Sequence, residues 1–105
     1  MSEKSYRIRL NVPLGIRIGT MSLHEADGNV TGRLNVMNEK NGFCGALSKE
    51  GQLTVTGVIR TLISTVHYTA TGTICGRNIF LNLKTDSGAC FPLFGEEYFI
   101  DDEVL

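Results

Sequence analysis

Along most of the chain, apolar and polar residues alternate one by one, and turn signals interrupt the alternation about every dozen residues. Period-two alternation puts successive side chains on opposite faces of a strand, and helical spacing is hard to find, so the pattern predicts an all-β domain. Eight strands are expected, over residues 5–12, 15–23, 29–37, 42–48, 52–60, 66–74, 78–84 and 89–95. The segments PLG, EADG, NEKN, KEG, CGRN and TDSG supply Gly, Asn, Asp or Pro where the chain must reverse. Only the link TLIST lacks such a signal.

Directly opposed residues of antiparallel strands point to one face, so each turn length can be tested against the alternation on both sides. With NEKN as a loop, Val36 meets Phe43, Leu34 meets Gly45 and Gly32 meets Leu47. With KEG closing the next hairpin on a left-handed Gly51, Leu47 meets Leu53, Gly45 meets Val55 and Phe43 meets Gly57. A link at 60–65 sets Ile59 against Val66, Gly57 against Tyr68, Val55 against Ala70 and Leu53 against Gly72. CGRN then pairs Ile74 with Ile79, Gly72 with Leu81 and Ala70 with Leu83.

Gly32, Gly45, Gly57 and Gly72 thereby fall on the apolar face, each beside a large side chain. Glycine weakens a strand, so its repeated use needs a reason. Small against large is how the narrow interior of a small barrel is filled, and glycine permits the coiling that closure requires. The second strand departs from the pattern, since Ile16 and Ile18 lie in one phase and Met21 and Leu23 in the other. A bulge near Gly19 and Thr20 reconciles them, pairing Leu23 with Val30 and Met21 with Gly32 while Ile18 faces Leu34 and Ile16 faces Val36.

The expected fold is a single-domain antiparallel meander of about eight short strands closing into a small up-and-down β-barrel. A flattened barrel or two-layer β-sandwich satisfies the same local pairings. Pro92 cannot donate to a ladder and argues for an edge, a bulge or incomplete closure at the eighth strand.

A length of 105 residues with 42% hydrophobic content allows one modest core and no second domain. No apolar run is long enough for a spanning helix, and no apolar region follows the basic start MSEKSYRIRLN, so a soluble cytoplasmic chain with no membrane partner is expected. Cys44, Cys75 and Cys90 are odd in number and far apart, which fits reduced thiols and neither a metal site nor a disulfide framework. No cofactor is expected.

The ten Lys and Arg all precede residue 96, where they outnumber six acids and leave +4, while the last ten residues hold five acids and no base. This split divides the chain into a barrel domain, 1–95, and an acidic, partly apolar C-terminal tail, 96–105, belonging to the same domain.

Among candidate sites, the hydroxyls of Tyr6 and Tyr68 are polar handles that could orient a small apolar ligand at one mouth of the barrel. Arg7, Arg9, Arg17 and Arg33 fall on the outer, polar face and offer planar forks of donors to an anion or to the acidic tail. Aromatic platforms are expected to be absent there and the net charge is -1, so nucleic acid is disfavoured. Leu62 and Ile63 in TLIST, with Tyr98, Phe99 and Ile100 in the tail, are apolar features that mark an interface. His24 and His67 have no thiol or carboxylate partner, Cys44 and His67 lying on non-adjacent strands, so no catalytic residue is assigned. The functional expectation is a non-catalytic interaction or structural module forming a homodimer, ahead of a small-molecule-binding barrel, with an enzyme third.

Overall fold

A computed structural model describes residues 2–12, 15–36, 39–60 and 64–98. Eight strands follow one another: β1 (Ser2–Val12), β2 (Gly15–Ala26), β3 (Asn29–Val36), β4 (Glu39–Leu47), β5 (Gln52–Arg60), β6 (Thr65–Cys75), β7 (Asn78–Thr85) and β8 (Cys90–Tyr98). Each pairs antiparallel with its sequence neighbours, and β8 returns to β1, so the sheet closes into an up-and-down barrel. The closing ladder runs from Ser5 opposite Tyr98 to Leu10 opposite Leu93. It stops one residue short of Pro92, whose missing N–H therefore interrupts nothing on the β1 side. The closed barrel is flattened, measuring 35 × 33 × 18 Å. No helix is long and apolar enough to cross a membrane among the described residues.

From β4 to β7 the pairings are those the turn chemistry predicts: Phe43 opposite Gly57, Gly57 opposite Tyr68, Leu53 opposite Gly72 and Ile74 opposite Ile79. Gly51 takes the left-handed conformation, at φ +87. Earlier in the chain three expectations fail. Asp27 and Gly28 both have positive φ, 54° and 83°, which is the two-residue type I′ hairpin that matches strand twist. The Gly28 N–H also donates to a Glu25 carboxylate oxygen at 2.8 Å. This tighter turn sets Leu23 opposite Gly32 and Met21 opposite Leu34, two residues along from the expected register. The next hairpin is tighter too, so Gly32 meets Phe43 rather than Leu47, and Asn41 is carried inward opposite Leu34. No bulge interrupts β1–β2, whose ladder is continuous from Ser2 opposite Glu25 to Val12 opposite Gly15. Ile16 and Ile18 consequently point outward, and Arg17 takes the phase of Leu10.

The interior holds Tyr6, Ile8, Leu10, Leu34, Phe43, Leu53, Tyr68, Leu81, Leu83 and Leu93, all buried. Each fully buried side chain of this kind contributes about 1.5–3 kcal/mol relative to exposure. Rows across the barrel alternate large and small, as in Leu23, Gly32, Phe43, Gly57, Tyr68 and again in Ile79, Gly95, Ile8, Gly19. At Gly32 an added Cβ would strike the Ser22 carbonyl, so the neighbouring backbone already occupies the space of a side chain.

Candidate functional site

Both inward candidates are buried in the core. Tyr6 is fully buried opposite Met21 and Glu97, and Tyr68 is buried opposite Gly57 and Thr85. Burial pushes both phenols up to about 12, with the Glu97 carboxylate adding to the effect at Tyr6. The Tyr6 hydroxyl has no hydrogen-bond partner among the described residues. Asn41, a buried polar residue opposite Leu34, uses its side-chain oxygen to accept the Arg60 N–H at 3.1 Å.

Of the four arginines, Arg7, Arg9 and Arg33 are exposed on the outward phase, whereas Arg17 opposes Leu10 near the end of the barrel. Arg7 and Arg9 sit together on β1, and Arg33 lies two strands away on β3, opposite Ser22 and Gly42. A cleft of about 220 Å³ beside Arg33 is also lined by Ser22, Asn35, Lys40 and Tyr98. The acidic segment begins within a strand: β8 runs through Tyr98, Glu96 lies directly across from Arg7, and the Arg7 guanidinium stands 4.5 Å from the Tyr98 ring centre. Leu62, Ile63, Phe99, Ile100 and the remaining tail acids lie outside the described residues.

Contrary to the sequence expectation, aromatic rings do stand beside the outer arginines. Phe80 on β7 and Phe94 on β8 are 42% and 45% exposed, with ring centres 4.9 Å apart at 36°. Pairing makes Phe80, Phe94, Arg9 and Ile18 one continuous outer row across β7, β8, β1 and β2. Asn78, Glu96, Arg7 and Thr20 form the row next to it. Ile18 is 76% exposed and Ile16, one outward position further along β2, is 57% exposed. A cleft of about 340 Å³ opens between the two rows, lined by Arg7, Arg9, Asn78, Phe80, Phe94 and Glu96. The chemistry of this face is therefore an apolar strip with a guanidinium inside it and both charge signs along one edge. Its aromatic members were readable, because Phe80 and Phe94 occupy the opposite phase to Ile79, Leu81 and Leu93.

His67 opposes Val58 and is separated from Cys44 by β5, and all three cysteines are free and exposed. No group of three His, Cys, Asp or Glu residues is gathered to hold a metal ion among the described residues. Set against models of protein families, curated proteins and solved structures, the chain matches none, so the reading of its surface rests on its own residues and geometry.

Proposed function

We propose that the protein is a non-catalytic interaction module whose docking surface is the outer face of β7, β8, β1 and β2. One observation carries the reading: Ile16 and Ile18 of β2, Phe80 of β7 and Phe94 of β8 are exposed on the same outer face, with Arg9 of β1 between them. Single exposed apolar residues need no explanation, but a contiguous strip rimmed by charge marks a surface that is covered in use. Arginine and aromatic residues together are also the composition of energetically dominant contact sites. Crosslinking of a tagged chain in its source cells tests this directly, because it reads every partner at once. Adducts should form with the wild-type chain and disappear when Ile18→Ser and Phe80→Ser are combined; adducts unchanged by that double substitution contradict the proposal.

A second reading has its own observation in the Tyr6 hydroxyl. A buried hydroxyl without a partner carries a penalty of about 1–3 kcal/mol, which a small ligand accepting or donating a hydrogen bond inside the barrel would relieve. Native mass spectrometry showing a bound mass in the wild-type chain and none in Tyr6→Phe would favour it over the interaction module.

A further inference from the structure

We infer that the occupant of this face is a second copy of the chain, related to the first by a two-fold axis running along the seam between β8 and β1. The inference rests on reading the face as an interaction surface and goes on to fix what meets what.

An isologous contact must be self-complementary, since the same patch supplies both sides. An axis parallel to the strands and midway between β8 and β1 lays β8 of one copy over β1 of the other, and β7 over β2, with each row kept level. Phe80 then meets the partner's Ile18, Phe94 meets the partner's Arg9, and Glu96 meets the partner's Arg7. Each contact occurs twice. Apolar falls on apolar, an aromatic face falls under a guanidinium, and a carboxylate falls against a guanidinium fork.

The orthogonal orientation lacks this match. An axis across the strands through the Phe80 and Phe94 row would put Arg9 on the partner's Arg9, placing like charges in contact at the centre of the strip. The relief agrees with the charge pattern: Ile18 is the most exposed large apolar side chain among the described residues, and the cleft of about 340 Å³ beside Phe80 is the concavity that the partner's Ile18 faces. Four strands about 4.8 Å apart make a narrow face, at the small end of stable interfaces that bury about 800 Å² per partner. The dimer is therefore expected to dissociate on dilution.

Sedimentation equilibrium over a range of concentrations tests the geometry through charge exchange. Wild-type chain should move from monomer to dimer mass as concentration rises. Glu96→Arg alone and Arg7→Glu alone should each weaken association at least about tenfold, because each sets like charges together twice. An equimolar mixture of these two variants should recover association, since every contact between the two chains again joins opposite charges, although positions 7 and 96 stay alike within each chain. Ile18→Ser, at a position too exposed to affect folding, should weaken association as well, and far-UV circular dichroism confirms that each variant is folded. A wild-type chain that stays monomeric throughout overturns the inference, and so does a dimer indifferent to the charge changes or a mixture that is not rescued. Crosslinked adducts lost on combining Ile18→Ser with Phe80→Ser, in a chain that sediments only as monomer, would keep the interaction reading and show a different macromolecule as the occupant.

Discussion

Gly57 lies directly opposite Tyr68 in the β5–β6 ladder, and a Cβ added to it would stand 2.7 Å from the Tyr68 hydroxyl and 2.9 Å from the Phe43 Cβ. Nothing fits there, because Phe43 is held close to its own backbone and Tyr68 is locked in the core. Gly57→Val is therefore expected to lose about 1–3 kcal/mol through overpacking, and Gly32→Val, which meets the Ser22 carbonyl, should lose at least as much. Gly42 faces outward with only the Gly32 carbonyl nearby, at 3.9 Å, so Gly42→Ala should leave stability unchanged or slightly raised. Denaturant titration of the three variants separates the inward glycines from the outward one.

Much of this architecture can be read from turn chemistry and alternation, and its errors have physical causes. KEG and CGRN fix the β4–β5 and β6–β7 registers correctly because each places a glycine, Gly51 and Gly76, where a turn of that length needs a positive φ. The phase test could not reject the longer loops at EADG and NEKN, because a register shift of two or four residues preserves which face each side chain takes. The Asp27-Gly28 pair within EADG carries the tighter turn, and its two positive φ angles give it the type I′ form. Placing Ile16 and Ile18 inward assumes that every apolar residue faces the core. That assumption fails where apolar residues form a surface, so the same step created a false bulge and concealed the candidate site. The outward phase of Arg7, Arg9 and Arg33 is legible, while Arg17, without the bulge, takes the phase of Leu10.

Asn41 is the inward polar residue that the tighter β3–β4 hairpin places in the barrel, and it caps the Arg60 N–H near the end of β5. Asn41→Ala removes the acceptor and leaves that N–H without its side-chain partner, for an expected loss of about 1–3 kcal/mol. Asn41→Asp keeps an acceptor but buries a charge, and its loss should grow as pH rises through the carboxylate range. Thermal melts at two pH values check both.

Tyr6 and Tyr68 have phenols raised from 10.0 to about 12 in the folded chain. Below pH 10 these groups are neutral in both states and contribute no pH dependence. Between pH 10 and about 12 the unfolded chain releases their protons while the folded chain retains them, so stability falls as pH rises, by about 2–3 kcal/mol for each tyrosine. Tyr6→Phe should halve that alkaline loss and, by removing a buried hydroxyl that lacks a partner, should leave neutral-pH stability unchanged or higher. Chemical denaturation across this pH range, with phenolate absorbance followed in parallel, measures both effects.

The surface residues should behave in the opposite way to the core. Ile18→Ser removes a side chain that is 76% exposed and is expected to change stability by less than about 1 kcal/mol, whereas Phe94→Ser removes a half-buried ring paired with Phe80 and should cost about 1–2 kcal/mol, both impairing association. A folded, stable chain that no longer associates separates binding from folding, and equilibrium unfolding beside sedimentation of the same samples provides the comparison.

The most direct measurement is a dilution series followed residue by residue in the amide NMR spectrum. If the β7, β8, β1 and β2 face joins two copies, concentration-dependent shifts will cluster at Arg7, Arg9, Ile18, Phe80, Phe94 and Glu96 and will be absent from the threonine-lined outer face of Thr54, Thr56, Thr69 and Thr71. Shifts concentrated on that threonine face, or a spectrum that does not change between dilute and concentrated samples, would contradict the assignment.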